Sequence, residues 1–579
     1  MCMPNLERYT VSEKAAPDKP VIPLVMVLAN KLINELDFTS RINEGVEAEA
    51  AAWSVDPGRL IKALVLSTFI DMRAPLSHVA GRLSGFDIEW LLDKKGVLAE
   101  ELNAFSIGRA LERLGKADSD GIYEALALDA VIQNGIPLNR LHSDTSTVSF
   151  YGDYDIDAIA AGLGLSESEK EEILKIERGY NKDGRPDCAQ IVVGQIVSDT
   201  GIPLISRAMD GSTSDAEWNK LAATYLDNII EAGFDGFYVA DSKLVFEESI
   251  KGLLNKEKPI KFVSRVPSNF EKRLEARTIK KAYAANAWDD LGKFTEGEKA
   301  AVYRCSSYDV ELYGGDVCLL ALESSILVYK AQISLEKNAD KADKDLKKLQ
   351  DKVFHSDKDA QSEMGGFVKK WPCFDYGLSI EKETKIKFPK GRRKRGAAGT
   401  EITTYHVRPQ YISWNTGACL DYLHNESCIV LITNAVDGYT DSEILQIYKK
   451  QQTVENSFKI LKEPQLASVI FLKNPDRVKG LMMALSFSLL IRAIIQHKLR
   501  QGLAEYKSQN NGIPPNVGWN DRPLENPTYK LLYEHAYNCR FTKENDGVYS
   551  FFWGGDAAKK RVSTLLQLMG YTVNELLEL

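Results

Sequence analysis

The sequence predicts an α/β protein on three observations. Residues 1–137 carry the apolar spacing of helices, whereas the chain from residue 141 alternates in the manner of strands. A stretch of different character, residues 267–427, then interrupts the α/β order. A buried strand and a helix follow it. We therefore expect an α/β domain that is interrupted by a large insertion and preceded by a helical N-terminal domain.

Composition and charge limit the class of protein. The chain has 579 residues, too many for one ordinary core, with 44% hydrophobic and 27% charged residues, which is typical of a soluble globular protein. The net charge of -8 excludes a uniformly basic nucleic-acid coat. DNA binding would need local basic patches, because phosphate contacts require Lys and Arg where the DNA backbone lies.

Cysteines and apolar segments indicate the compartment. The eight cysteines are spread along the chain without a C-x-x-C pair, which favours a reducing cytoplasm over a disulfide framework or zinc site. The apolar segment 21–30 contains Pro23 and follows no basic region, so it does not resemble a signal peptide. The apolar run 481–491 is too short to span a bilayer and predicts a buried helix. No membrane partner is expected.

The N-terminal region is predicted to be a helical DNA-binding domain over 1–137. Three segments have helical spacing, namely 57–72, 76–93 and 106–114. Turns that contain Gly or Pro join them. A helix-turn-helix-like module fits these segments, and a plain helical bundle fits them equally well.

The next segments, 138–266, predict the first part of the α/β core. Five strands are expected, at 141–152, 189–199, 204–209, 236–241 and 261–266, with a helix at 216–233 and another before the last strand. The first three read as an antiparallel meander, and the fourth as a buried parallel strand. This is the order of a ribonuclease H-like α/β fold.

Residues 267–427 are predicted to be an insertion domain within that core. They include a charged helix at 334–353 and a basic, glycine-rich tip at 391–400. The second part of the core is then expected over 428–495. It begins with a buried strand at 428–434 and continues with a helix over 441–462 whose N-cap is Asp441. Residues 496–579 form a C-terminal region of mixed character.

Three acidic residues stand out by their positions. Asp144 lies within the first strand, Asp241 at the end of the buried strand, and Glu455 on the helix after the insertion. Carboxylates at strand ends of an open α/β sheet point into the crevice where ligands bind. Three converging carboxylates need cations between them, and Mg²⁺ prefers oxygen ligands. For any single acid among 81, a solvated surface position is the ordinary alternative.

Other polar residues near these acids are expected to have no catalytic role. Asp153, Asp155 and Asp157 fall past the first strand, in a loop, and Asp210 falls in a turn. His142, beside Asp144, is expected to be structural.

The helix of residues 448–462 combines a polar stripe with an apolar one. Four polar residues fall within roughly 60° of one another on a helix, namely Tyr448, Gln451, Glu455 and Lys462, with Lys459 somewhat off the stripe. The adjacent apolar stripe is Ile447, Val454, Phe458 and Leu461. Such a helix can pack on the sheet and still aim Glu455 at its crevice. A surface helix of mixed charge remains the simpler alternative.

This pattern resembles the Y-x2-R-x3-E-x6-K signature of a branch of bacterial insertion-sequence DDE transposases. The segment SDTSTVSFYGDY is similar to the first-aspartate motif of that family, FYVADSK to the second, and VENSFKILK to the glutamate helix. The long interval between Asp241 and Glu455 has room for the insertion that this branch carries. The N-terminal stretch is similar to that of the larger members, so the resemblance spans roughly residues 60–495.

The resemblance implies a function and a set of partners. Asp144, Asp241 and Glu455 would hold two Mg²⁺ or Mn²⁺ ions, which in two-metal sites lie about 3.5–4 Å apart. The reaction would be cleavage at the element ends and transfer of the freed 3′-OH into target DNA. The partners would be double-stranded DNA, as terminal inverted repeats and target, and a second copy of the chain in a homodimer. The setting would be the bacterial cytoplasm.

Several basic and polar residues are expected to contact this DNA. The resemblance assigns Tyr448, Gln451 and Lys462 to the strand near the cut, and Lys459 lies beside them. The segment KIKFPKGRRKR, 385–395, has seven Lys or Arg in eleven residues, although the protein is acidic overall. Its predicted DNA contacts are Arg392, Arg393, Lys394 and Arg395. A solvated loop or a localisation-like patch is the alternative.

One departure from the family keeps a second function open. The family has arginine where this chain has Gln451, and a neutral amide lacks the charged fork of a guanidinium. A catalytically impaired DNA-binding descendant of a transposase is therefore the alternative to an active enzyme. Another ribonuclease H-fold nuclease, such as a resolvase, leaves the long insertion unexplained. A helical scaffold protein leaves the strand-end aspartates unexplained.

Overall fold

The computed structural model describes most of the chain, as two compact units. The described residues are 20–46, 53–70, 76–231, 234–254, 259–294, 300–388, 399–451, 458, 472–545 and 547–577, and the side chains of 227–231 are not among them. The first unit combines Met1–Ala240 with Lys449–Leu579, and the second is Asp241–Tyr448. The five domain ranges expected from the sequence stay a prediction.

The described part of the N-terminal region is mostly helical, as its apolar spacing predicts. It contains a short strand, β1 (Val21–Pro23), and seven helices: α1 (Leu24–Glu35), α2 (Phe38–Gly45), α3 (Pro57–Ser67), α4 (Val79–Leu83), α5 (Ile88–Leu92), α6 (Ala104–Lys116) and α7 (Ser119–Gln133).

Side-chain caps fix where these helices begin. Asp56 accepts a hydrogen bond from the N–H of Arg59, and Pro57 occupies the first turn of α3. The segment 76–93, expected to be helical, contains a 3₁₀ turn and two short helices. The break has a local cause, because Asp87 accepts a hydrogen bond from the N–H of Trp90 and so starts α5 afresh.

A mixed sheet follows the helices in the first unit. Its elements in chain order are β2 (Arg140–Phe150), α8 (Ile156–Leu163), α9 (Glu167–Glu172), β3 (Ala189–Ser198), β4 (Pro203–Met209), α10 (Asp215–Glu231) and β5 (Phe237–Ala240). The strand order within the unit is β4-β3-β2-β5. Strands β2, β3 and β4 pair antiparallel, and β5 pairs parallel with β2. A mixed α/β fold is thus confirmed.

Helix α10 packs on one face of this sheet through Trp218. The indole is 1% exposed and donates a hydrogen bond from Nε1 to Oγ of Ser143, at 2.9 Å. It lies against Gly194 of β3, where a Cβ atom would meet the ring at 2.4 Å. The absence of a side chain at Gly194 therefore lets the helix approach the strands.

The second unit begins after β5. Its elements are α11 (Glu247–Leu254), β6 (Lys261–Arg265), α12 (Leu274–Ala285), β7 (Asp289–Phe294), β8 (Ala301–Leu312), β9 (Gly315–Ser324), α13 (Ser325–Asp351), α14 (Asp357–Lys370), β10 (Phe374–Asp375), β11 (Leu378–Lys387), β12 (Thr400–Pro409), β13 (Ser413–Trp414), α15 (Thr416–Ser427), β14 (Cys428–Thr433) and α16 (Asp441–Lys449), whose last residue belongs to the first unit.

Two layers of structure fill the second unit. Strands β6, β14, β9, β8 and β7 pair antiparallel in that order. Helices α13, α14 and α15 and the antiparallel hairpin β11–β12 enclose a separate apolar core that includes Leu346, Phe367 and Tyr376. The charged helix expected at 334–353 is found as part of α13, which begins nine residues earlier.

The C-terminal part returns to the first unit. It contains α17 (Pro475–Gln509), α18 (Tyr529–Ala536), β15 (Arg540–Lys543), β16 (Tyr549–Phe552) and α19 (Asp556–Leu568). Strands β1, β15 and β16 form a small antiparallel sheet. The first and last described strands of the chain thus close the unit together.

Helix α17 is the central core element of the first unit. It packs on α3, α6, α7 and β4. Its close approach to α6 requires Gly480, where a Cβ atom would lie 2.1 Å from the carbonyl oxygen of Leu111. The apolar run expected at 481–491 lies within this helix. Among the described residues α17 alone is long and apolar enough to cross a membrane, and 89% of its most apolar window is buried inside the protein.

Candidate functional site

Asp144 lies in the middle of β2, where the parallel pairing with β5 ends and the antiparallel pairing with β3 continues. On one side it pairs with Gln195 of β3. On the other side the parallel pairing with β5 extends as far as Ser143 opposite Ala240. Asp144 is therefore the first residue of β2 beyond the pairing with β5. Its Oδ1 accepts a hydrogen bond from the N–H of Thr145, at 2.7 Å.

A lysine from the loop between α9 and β3 reaches this carboxylate. The Nζ atom of Lys182 lies 3.5 Å from Oδ1 of Asp144 and 2.9 Å from Oδ1 of Asp215. It also donates to the carbonyl oxygen of Thr145 at 2.9 Å and to its Oγ1 at 2.6 Å. Thr145 Oγ1 in turn donates to Asp215. One ammonium group thus bridges two carboxylates and the strand that carries one of them.

The pKa of Asp144 reflects this balance of opposing effects. Partial burial raises the pKa above its ordinary value, and the nearby carboxylate of Asp215 raises it further. The ammonium of Lys182 and the N–H of Thr145 act in the opposite direction, because both stabilise the charged form. The net shift of the pKa is upward, because burial outweighs the stabilisation of the charged form by Lys182 and Thr145.

Asp215 is fixed by the start of α10. Ser214 and Glu217 form a reciprocal cap, in which each backbone N–H donates to the side chain of the other. Asp215 stands in the first turn of this helix, three residues before the buried Trp218. Neither Asp215 nor Lys182 is predicted as a site residue from the sequence. An acid in the first turn of a helix is also the ordinary complement of the helix dipole, so its residue type alone carried no signal.

His142, two residues before Asp144, is completely buried. Neither ring nitrogen has a hydrogen-bond partner within the described part of the chain. Burial lowers the pKa of His142 to about 4, with Arg140 and Lys450 contributing in the same direction. The imidazole is therefore neutral at physiological pH.

Asp241 is the first residue of the second unit and directly follows β5. Its carboxylate caps the 3₁₀ turn Ser242–Leu244 by accepting a hydrogen bond from the N–H of Lys243, at 3.0 Å. Its carbonyl oxygen accepts a hydrogen bond from Oγ of Ser264 in β6, at 2.7 Å. The backbone at Asp241 is thereby tied to the neighbouring strand.

The helix expected over 441–462 differs from the structure at two points. Its N-cap is Thr440, not Asp441, because Thr440 and Glu443 form the reciprocal cap. Helix α16 ends at Lys449, and Gln451 lies in a turn, so Tyr448 and Gln451 do not share one continuous helix.

Several predicted residues lie outside the described residues. They are Glu455, Lys459 and Lys462 of the glutamate segment, and Arg392, Arg393, Lys394 and Arg395 of the basic tip. The described part of the hairpin that leads to this tip, β11 and β12, pairs from Leu378 opposite Pro409 to Lys387 opposite Thr400. The assignments of these seven residues stay predictions.

The donor chemistry of the two described aspartates suits a hard cation, since both offer carboxylate oxygens. Among the described residues, however, no group of three or more His, Cys, Asp or Glu side chains is arranged to hold a metal ion. The structure brings Asp144 together with Lys182 and Asp215. Asp144 and Asp241 belong to different units.

The chain is similar to a protein family over part of its length and to solved structures. Residues 24–128 match a family described as a domain of unknown function, DUF4277. None of the curated proteins matches the chain. A solved structure, the cryo-EM structure of a piggyBac transposase synaptic complex with hairpin DNA, is similar over 97% of this chain and 87% of that chain. The identity is 8% and the TM-score 0.36, and a likeness this remote carries no argument about function.

Proposed function

We propose that the protein is a DNA transposase of an insertion sequence. In this proposal it cleaves DNA at the element ends and transfers the freed 3′-OH into target DNA. The sheet of the first unit is then the start of a ribonuclease H-like catalytic core. The substrates are terminal inverted repeats and target DNA, bound by a homodimer.

The register of β2 and β5 is the observation that supports this proposal most. Ser143 pairs with Ala240 on adjacent parallel strands, and the next residues along the chain are Asp144 and Asp241. Asp241 follows the carboxyl end of β5, which is where open α/β sheets place ligand-binding groups, and Asp144 is the first residue of β2 beyond its parallel pairing with β5. Each of the two acids thus directly follows a residue of this parallel pairing along the chain, which is where the proposal needs a metal-binding carboxylate.

Each predicted residue has a role in the proposed reaction. Asp144, Asp241 and Glu455 would hold two Mg²⁺ or Mn²⁺ ions. Ions bound there supply activation of water and neutralisation of charge on the phosphate. The remaining residues bind DNA: Tyr448, Gln451, Lys459 and Lys462 at the cleaved strand, and Arg392, Arg393, Lys394 and Arg395 on DNA flanking it.

A catalytically impaired, DNA-binding descendant of a transposase is the second candidate. Two observations favour it. Gln451 offers neutral donors where the related family has a guanidinium. The nearest cation to Asp144 among the described residues is the chain's own Lys182. Cleavage activity separates the two candidates, since both bind DNA.

The test is a cleavage assay on duplexes taken from the flanks of the gene, with and without Mg²⁺. We expect the wild-type protein to cut only with the metal. Asp144→Asn, Asp241→Asn and Glu455→Gln should each abolish cutting while leaving binding in a gel-shift assay largely intact, because each removes one carboxylate and no DNA contact.

Asp153→Asn is the matched control, since Asp153 is an exposed acid just past β2. It should cut at the wild-type rate. Normal cutting by any of the three site variants would make the assignment of the three acids wrong. Binding without cutting by the wild-type protein would favour the impaired descendant.

A further inference from the structure

Hydrogen bonds and ion pairs hold the ammonium of Lys182 in one position, unlike the ammonium of an ordinary surface lysine. The contacts of Lys182 include close ones to two oxygens of Thr145 and one of Asp215, and a longer one of 3.5 Å to Asp144. About a quarter of each charged side chain is exposed, at 26% for Lys182, 24% for Asp144 and 23% for Asp215. Partial shielding from water makes such contacts stronger than those of fully exposed pairs.

The loop that carries Lys182 is held along β2 by further hydrogen bonds. Nδ2 of Asn181 donates to Oγ of Ser149 at 2.9 Å, and the N–H of Lys182 donates to Oγ1 of Thr147 at 3.1 Å. Together with Thr145, these partners are alternate residues of the strand, so they share one face. The position of Lys182 is therefore set by the strand that also carries Asp144.

We propose that Lys182 and Asp215 are positioning residues for Asp144. The inference rests on the proposed function, in which Asp144 binds a divalent cation. Lys182 balances the charge of Asp144 and limits the orientations of its carboxylate. Asp215 holds the ammonium at its shorter contact, which keeps Lys182 from closing fully onto Asp144.

This arrangement predicts opposite effects on metal binding for the two partners. Without the charge of Asp215, the ammonium loses its shorter carboxylate contact and competes more strongly with a metal ion for Asp144. Without Lys182, the competition from its ammonium is removed, but Asp144 loses its fixed neighbour. Residues around a metal ligand typically affect affinity or activity about 10–100-fold.

The experiment measures Mn²⁺ binding by calorimetry and DNA cleavage on the full-length chain. We expect Asp215→Asn to weaken Mn²⁺ binding about 10-fold. The double variant Lys182→Met with Asp215→Asn should recover most of that affinity. Lys182→Met alone should lower cleavage at saturating Mn²⁺ about 10-fold, and Lys182→Arg should restore it, since arginine keeps the charge.

Lys175→Met is the matched control, because Lys175 lies in the same loop and it is its backbone N–H that donates to Asp210, at 2.8 Å. It should change neither readout. Thermal unfolding of every variant shows whether a loss reflects folding. Unchanged Mn²⁺ affinity in a folded Asp215→Asn variant, no recovery in the double variant, or equal losses in Lys175→Met would overturn the inference.

The two proposals fail differently. If Asp144→Asn leaves cleavage intact, the proposed function is wrong. If cleavage depends on Asp144 but not on Lys182, only the positioning role is wrong. Mn²⁺ binding that depends on Asp215 in a protein that cuts no DNA would keep the positioning role and reject the transposase.

Discussion

Gln451 stands in the turn that follows α16, with its side chain partly buried. A turn tolerates a longer side chain more readily than a packed helix face does. We expect Gln451→Arg to keep or raise cleavage activity, because a guanidinium adds a charged, bidentate phosphate donor. Initial rates on the terminal-repeat duplex measure this.

The charge-reversed variant Gln451→Glu is the control for that substitution. A carboxylate repels phosphate, so DNA affinity should fall and its salt dependence should weaken. A clear loss of activity in Gln451→Arg itself would mean that the amide has a role of its own.

The sequence can single out a candidate residue by its place in a strand, but it cannot show which distant residues contact it. Asp144 stood out because an acid within an alternating strand is unusual. Lys182 did not, because its partner Thr145 is 37 residues away and nothing local marks a loop lysine that folds back onto β2. Asp215 is 70 residues from Thr145, so its contact with Thr145 cannot be predicted from the local sequence either. Contacts of this range exist only once the tertiary fold is known.

The contact between α10 and the sheet depends on one glycine. A methyl group at Gly194 would lie 2.4 Å from the ring of Trp218. Because that indole is buried and hydrogen-bonded to Ser143, it cannot swing aside. Gly194→Ala should therefore destabilise the first unit by about 1–3 kcal/mol, the usual cost of overpacking. Urea unfolding followed by tryptophan fluorescence measures the change.

Gly162→Ala provides the comparison, since a Cβ atom at that position of α8 meets nothing within 4 Å. It should be neutral or stabilising, because alanine favours a helix over glycine. If the two substitutions have equal effects, the close approach of α10 is not what requires Gly194.

Strands and helices with a regular spacing of apolar residues are predicted well from the sequence. The points at which helices break or end are not. The strands expected at 141–152, 189–199 and 204–209 correspond to β2, β3 and β4 within two residues at each end. The end of α16 at Lys449 had no such signal, because YKKQQ consists largely of residues with good helix propensity. The break within 76–93 was signalled only by Gly85 and by the capping residue Asp87.

The stability of the first unit should change with pH in the alkaline range, because the buried Lys62 titrates there. This lysine is 2% exposed and donates to Oδ1 of Asn34 at 2.7 Å. Burial lowers its pKa to about 8 from 10.5. Between those values the unfolded chain binds more protons than the folded one, so stability rises as pH rises from about 8 to 10.5.

The variant Lys62→Met isolates that effect. It should remove the increase in stability with alkaline pH. It should also stabilise the protein at pH 7 by about 1–3 kcal/mol, since it relieves the cost of a buried charge. Unfolding midpoints at pH 7, 8.5 and 10 measure the difference from wild type. Lys95→Met, at an exposed lysine, should leave the pH profile unchanged. An unchanged profile in Lys62→Met would show that the ammonium is solvated in the folded state.

The position of α17 has a consequence for synthesis on the ribosome. Ser488 of α17 bonds to Thr68 across 420 residues, and Ser486 bonds to Ser206 across 280. At typical elongation rates of about 5–20 residues per second, roughly 20–80 s separate the emergence of α3 from that of its partner. During this time the surfaces that α3, α6 and β4 bury against α17 lack that partner. Nascent chains of this protein should therefore depend on holding chaperones until translation has passed residue 509.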